Sequence, residues 1–554
     1  MATKRTRKAA SGWATDPDRL AIFDSLVASA AEEMGATLRH TALSPNIKER
    51  EDYSCAVFDA QGQLLAQAAH IPVHLGAMPE SVRAVESLAP WAPGDVAVLN
   101  DPYLGGTHLP DVTMVSPVFA DPAKAGRGPI GFVASRAHQA DIGGMAPGSM
   151  PVASELIQEG LIIPPVRLYR AGELVEETLA IVLRNVRTPD ERRGDFAAQV
   201  AAQRVGAERL RALALRLGLP QFRRAAEALL DYGERLARAA IESLPNGIYR
   251  FEDVMDDDGY RDEPVPIIAE LTISQRALHL DFTGTAPQRA ASINAVAAVT
   301  RSASYYVLRC LLPPGTPMNS GLFRPFSFTL PEGSLVNARP PVAVAAGNVE
   351  TSQRIVDVVW GAISQALPER MPAASSGTMN NLTAGGIDPR NDQPWAYYET
   401  SGGGLGGGPE GPGLSATHSH MTNTLNTPAE ALELAYPLRV LENSVRPNSG
   451  GDGLHPGGDG LVRRTEFLGT ATVTIISERR LASPWGAAGG QPGERGRNTL
   501  ERAGIETPLA GKTVFQVEPG DIVRLETPGG GGWGTPPAAS GAAKDPPTDR
   551  SPAR

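Results

Sequence analysis

The stretch Asn100 to Asp111, Asn-Asp-Pro-Tyr-Leu-Gly-Gly-Thr-His-Leu-Pro-Asp, constrains this chain more than any other. Pro102, Gly105, Gly106 and Pro110 break or bend regular backbone there, so two aspartates and a histidine are carried on a loop and not on a helix. Polar groups held on rigid turns are what a metal or catalytic site needs. The flanks, 95–99 and 112–119, read as strands, and 129–135 reads as a third, ahead of Arg-Ala-His-Gln-Ala-Asp-Ile-Gly-Gly at 136–144.

If these strands form an antiparallel meander, the first loop and the His138 segment leave the same rim of the sheet. His108, Asp111 and His138 then converge, with Asp101 and Asp141 as reserve ligands or catalytic carboxylates. Two imidazoles and one carboxylate would leave positions open on a divalent cation for water and substrate. The competing reading is that both histidines hydrogen-bond backbone in tight loops. Gly105-Gly106 and Gly143-Gly144 beside them favour the site, because glycine permits close backbone approach to a bound group.

A chain of 554 residues exceeds one hydrophobic core and predicts three or four packed units. The net charge of -10 argues against a nucleic-acid surface. No apolar run approaches the about 18 residues of a membrane helix, and no signal peptide precedes Asp16, so a cytoplasmic protein is expected. Cys55 and Cys310 read as buried thiols. Glycine is the compositional anomaly, 59 residues or about 11% against a usual 7%. Its clustering points to loop architecture.

The fold class expected is α+β and multi-domain: mixed, mainly antiparallel sheets with packed helices and long glycine-rich loops. The expected units are a disordered basic tail at 1–14, an N-terminal α/β metal-site domain at 15–188, a helical segment at 189–245 and an α+β domain at 246–345. A glycine-rich, β-rich domain at 346–534 and a disordered tail at 535–554 complete the chain. Asp16-Pro17 starts a helix whose apolar face carries Leu20, Phe23, Val27, Ala30, Met34 and Leu38. Pro72 between His70 and His74 argues against two ligands on one helical face, so His74 reads as a pocket or catalytic group. Glu155, with Glu159, is a second-tier base or ligand. Asp256-Asp257-Asp258 lacks an EF-hand's alternation and reads as a solvent turn. Gly347–Arg354 precedes an apolar helix at 355–367, whose N-terminus suits an anion. Gly511-Lys512-Thr513 lacks the first P-loop glycine, with Glu506 in its place, and no Gly-x-Ser-x-Gly elbow occurs. His418 and His420 share a face if that segment is extended; they, His70 and Glu350 receive no assigned role.

The 100–111 loop, the 136–144 segment and Gly-Asn-Val-Glu-Thr-Ser-Gln-Arg at 347–354 strongly resemble the hydantoinase B/oxoprolinase family, over about 16–534. The resemblance implies one subunit of an ATP-dependent amidohydrolase that opens cyclic amides such as hydantoins or 5-oxoproline-like lactams. An A-type partner would bind ATP and phosphorylate the carbonyl oxygen, in a hetero-oligomer, while this chain completes the reaction with a divalent metal (Mn, Zn, Fe or Mg). An acetone- or acetophenone-type carboxylase subunit and a non-catalytic scaffold are the alternatives. Two departures stand out: Pro456 where relatives typically have arginine, and Gln139 where many carry a second histidine.

Overall fold

The computed structural model describes residues 12–68, 71–74, 76–123 and 128–536. Expectations for His70, for 1–11 and for 537–554 therefore lie outside the described residues. Gly12 to Ala14, read as tail, are described, and Trp13 packs on a hydrophobic core.

The metal-site region is a seven-stranded sheet of order β2-β1-β5-β4-β3-β6-β7. Its strands are β1 (Tyr53–Asp59), β2 (Leu64–Gln67), β3 (Val96–Leu99), β4 (Asp111–Val118), β5 (Gly131–His138), β6 (Val166–Arg170) and β7 (Glu173–Leu174). All its pairings are antiparallel, and β3, β4 and β5 are adjacent, so the meander forms. One correction concerns β5, which runs on through Arg136 to His138. Arg136 is not a loop cation: it is buried and donates to Thr113 Oγ1 (2.8 Å) and Ser81 Oγ (2.6 Å). Its hydrogen bonds offset the desolvation that a buried charge suffers.

Helix Pro17–Thr41 starts as read, with Asp16 accepting from the Asp18 and Arg19 amides and Pro17 at the first turn. Its apolar face packs with helix Pro189–Leu217 in one core. That second helix also binds the sheet directly: Gln199 and Gln203 donate to the carbonyls of Val112 and Met114 on β4. Gly218, at φ 78°, breaks it from helix Leu219–Glu242.

A second sheet holds β8 (Gly247–Met255), β9 (Val265–Ser274), β10 (Ala277–Asp281) and β11 (Phe326–Thr329), with β10 and β11 parallel. Helices Ala297–Cys310 and Ser352–Ala366 pack together, the latter against β8 and β9. Cys310, at the first helix's end, is exposed, which corrects its reading as a buried thiol; Cys55 is buried. The aspartate turn is also corrected, because Asp256 is buried and accepts from the Arg480, Leu481 and Ala482 amides. Lys512 is no phosphate ligand but is buried against Glu478 and Asp257.

Two further sheets follow. One contains β12 (Asn381–Asp388), β13 (Gln393–Glu399), β16 (Ala471–Ile476) and β19 (Lys512–Val517). The other contains β14 (Leu438–Arg446), β15 (Gly460–Phe467), β17 (Arg497–Arg502), β18 (Ile505–Leu509) and β20 (Ile522–Glu526). Between them the glycine clusters lie backbone on backbone. Gly530 donates to Gly458 (2.9 Å), and Gly407 donates to Gly531 (2.8 Å). A Cβ on Gly404 would lie 1.8 Å from the Gly458 oxygen, and one on Gly530 2.0 Å from that of Leu405. Glycine enrichment thus reflects chain segments packed too closely for side chains. The architecture is α+β and multi-domain, with mainly antiparallel sheets. Among the described residues no helix is long and apolar enough to cross a membrane.

Candidate metal centre

Asp111 is the first residue of β4 and His138 the last of β5, and the register sets them directly opposite each other. Cross-strand neighbours at such a position have side chains close together on one face. His108 reaches the same point because Gly105, at φ 93°, and the Asn100 side chain fold the preceding loop back. Asn100 donates to the carbonyls of Leu109 and Leu161 and accepts from the Ile163 amide.

The result is a buried cluster in which one ligand atom from each of His108, Asp111 and His138 lies within 4.8 Å of the others. Asp111 Oδ1 is 3.2 Å from His108 Nε2 and 3.4 Å from His138 Nδ1. The His108 and His138 ring centroids are 5.0 Å apart, inside the roughly 7 Å beyond which two imidazoles cannot share a cation. Thr107 donates to Asp111 Oδ2 at 2.6 Å, and Asn348 Nδ2 lies 3.5 Å from the same oxygen.

His74, on the short turn Pro72–His74, also arrives here: Nδ1 bonds Ser54 Oγ (2.9 Å) and Nε2 lies 3.3 Å from Asp111 Oδ2. Burial pushes the Asp111 carboxyl up. The charges of His108 and His74 and the hydrogen bonds of His108 and His138 more than reverse this and hold it well below the usual carboxylate range. Burial lowers the His138 imidazole, opposed by Asp111.

A cation fits these residues on an observation internal to the chain. Both ring nitrogens of His108 and Nε2 of His138 are buried without a hydrogen-bond partner, a costly state for donor groups that a cation would relieve. The N, O, N donor set suits a divalent first-row metal. A cavity of about 20 Å³ adjoins the cluster, lined in part by His74, Asp111, His138 and Asn348.

The other sequence candidates are placed elsewhere. Asp101 caps the turn Pro102–Leu104 by accepting from the Tyr103 amide. Asp141 pairs with Arg187 at 2.7 Å and accepts from the Gly143 amide. Glu155 is exposed and caps helix Leu156–Glu159. None of the three lines the cavity. Gly143 and Gly144 approach the chain's own backbone, at Asn185 and Glu159, not a ligand.

The anion expected at the Gly347–Arg354 helix start is internal as well. Helical structure begins at Ala345, and Glu159 Oε1 accepts from the amides of Val344 (3.0 Å) and Ala345 (2.8 Å). Gly347–Thr351 is a π-helical turn, a feature frequent at functional sites, and it carries Asn348 to Asp111.

Sequence reading missed Thr107, Ser54, Asn348 and Tyr398. Tyr398 of β13 stacks on His138 with centroids 4.4 Å apart, and its hydroxyl donates to Asn381 Oδ1 at 2.9 Å. Asn381 in turn donates to Glu350, whose carboxyl burial and then Glu478 push up to about 8. Only Asn348 carried a signal, through the motif around it. His418 and His420 stand apart from the cluster.

Fold and site together define a multi-domain α+β protein with a buried two-histidine, one-aspartate centre at the rim of an antiparallel meander. The chain belongs to the hydantoinase B/oxoprolinase family, whose family model matches residues 16–536. It is 40% identical to 5-oxoprolinase 1 of Arabidopsis thaliana over 94% of its own length, and spans 42% of that longer protein. It is 31% identical to a protein of a Pseudomonas species named as the B component of a D-/L-hydantoinase, over 94% of this chain and 90% of that one. The structure is similar to ATP-dependent caprolactamase from Pseudomonas jessenii, with a TM-score of 0.87 and 30% identity over 95% of this chain and 93% of that one. Acetone carboxylase shares the fold, with a TM-score of 0.84 at 20% identity over 94% of this chain and 76% of that one.

Proposed function

We propose that this chain is the B-type subunit of an ATP-dependent hydrolase of cyclic amides, hydantoins or lactams, and carries its metal-dependent step. The observation that supports this most is Asp111 standing between His108 and His138, buried, with imidazole nitrogens left unpartnered. His108, Asp111 and His138 are the ligands we assign. A divalent cation held there would supply Lewis acidity toward the amide carbonyl and lower the pKa of a water.

His74, fixed between Ser54 and Asp111, is the side chain we assign to proton transfer. Asp101, Asp141 and Glu155 we assign to holding the loops around the site. Activation of the carbonyl by ATP falls to an A-type partner in a cytoplasmic hetero-oligomer. The naming of the Pseudomonas relative as one component of two and the greater length of the plant 5-oxoprolinase support that division.

The experiment is metal analysis of the chain co-purified with its partner, then turnover of hydantoins, 5-oxoproline and caprolactam with ATP, with and without bicarbonate. Metal-dependent ring opening supports the proposal. Bicarbonate-dependent carbon fixation would replace it with the carboxylase reading. A metal-free complex whose turnover survives His108→Ala would replace it with a scaffold.

A further inference from the structure

Beside the metal centre lies a cleft of about 400 Å³, within the usual range for small-molecule sites. Thr422 lines both this cleft and the small cavity at the cluster. The run Ile71 to Val73 also borders both, with Pro72 on the cleft side and its two neighbours on the metal side. The walls come from distant parts of the chain: Tyr306, Trp360, Leu405 and the segment 418–420. Among the described residues no aspartate, glutamate, lysine or arginine lines it.

His418 has both ring nitrogens buried and bonded to no protein atom. Burial, reinforced by the Arg50 charge, lowers its pKa to about 4, so at neutral pH it offers one N–H donor and one acceptor. His420 is 3.6 Å from Asp357, a carboxylate already paired with Arg354 and Arg479. Arg50, itself fully buried, donates to the Tyr398 carbonyl and to Thr400 and does not line the cleft. The cleft therefore presents aromatic and aliphatic surface, one unengaged neutral hydrogen-bonding group and no free charge.

We propose that this cleft receives the non-reacting part of the substrate and selects uncharged cyclic amides with an apolar or aromatic substituent over those carrying a carboxylate. The inference rests on the cyclic-amide reading above and narrows it. With the reacting carbonyl at the metal centre, the substituent lies against Trp360 and Tyr306, and His418 meets a ring N–H or C=O. A carboxylate in the same place would leave water and gain no cation, a loss on the order of 100-fold in kcat/KM.

The test uses the chain with its partner, ATP and metal, and compares 5-benzylhydantoin with 5-oxoproline. The wild type should favour 5-benzylhydantoin by on the order of 100-fold. Leu405→Lys, which sets an ammonium on the wall, should narrow that ratio at least about tenfold. A second measurement needs neither turnover nor that variant: 5-benzylhydantoin should change the tryptophan emission of the wild-type chain and not that of Trp360→Phe, and 5-oxoproline should change neither. Equal or faster turnover of 5-oxoproline, or an emission change indifferent to Trp360, would overturn the cleft assignment and leave the reaction standing. A Trp360-dependent signal without turnover of any cyclic amide would support the cleft and overturn the proposed reaction.

Discussion

Asp111→Asn keeps the shape of the central side chain and removes its charge. In the folded chain Oδ1 faces His108 at 3.2 Å and His138 at 3.4 Å, while Oδ2 faces His74 at 3.3 Å and accepts from Thr107 at 2.6 Å. At an effective dielectric of about 20, a unit charge at such a distance acts on a charged imidazole with about 5 kcal/mol. Breaking one partner of a buried charged set typically leaves about 3 kcal/mol or more uncompensated. Metal affinity should therefore fall by on the order of 100-fold or more.

The assay is metal content after dialysis against buffers of fixed free Mn²⁺ or Zn²⁺, with thermal unfolding of the metal-free proteins alongside. Thr107→Val conserves volume and removes only the hydroxyl that orients Asp111, so it should weaken binding by about tenfold. Both variants should stay folded, because the rest of the meander is untouched. Wild-type metal affinity in Asp111→Asn, or a larger loss in Thr107→Val, would refute the assignment of Asp111 as ligand.

His74→Ala should keep metal stoichiometry and lower kcat by on the order of 100-fold; loss of the metal would make His74 a ligand instead. Gly404→Ala should destabilise by about 3 kcal/mol, since its Cβ would lie 1.8 Å from the Gly458 oxygen, whereas Gly411→Ala, with open space around it, should be near neutral in the same denaturant titration. Burial pushes the Glu159 carboxyl up to about 8 from an ordinary 4.5, so folding takes up a proton between those values. The stability this contributes is complete below about 4.5 and is lost as pH rises through about 8. Wild-type stability should accordingly fall relative to Glu159→Gln by roughly 1 kcal/mol per pH unit across that window, and a flat difference would count against the raised value.

The sheet around the site was legible because β3, β4 and β5 obey local rules: short apolar runs separated by proline and glycine turns. Even the convergence of His108 and His138 followed, since hairpin pairing alone fixes which loops share a rim. What was illegible depends on contacts between distant stretches. Arg136 looked like a loop residue because its partners, Ser81 and Thr113, lie on other elements. Asp256 looked solvated because the amides it caps belong to the segment after β16. The helix N-terminus looked open to an external anion because nothing local shows Glu159 filling it. The glycines were read as ligand approach where chain meets chain.

That same dependence on distant contacts shapes the centre itself. Its ligands sit on one meander, but the ring of His138 is set by Tyr398, and Asp111 is touched by Asn348. Tyr398 is anchored through Asn381 to Glu350, two residues from Asn348 on the helical run that begins where Glu159 caps it. A stacked aromatic pair contributes about 1 kcal/mol beyond area burial, enough to bias a ring's orientation but not to hold it once the supporting sheet moves away. Docking of β12 and β13 against the meander is therefore a condition for a rigid donor set, and metal binding should in turn favour the docked arrangement. The linkage also gives the buried cluster a physical reason to draw on so much of the chain: no single unit could both supply the imidazoles and exclude water from them.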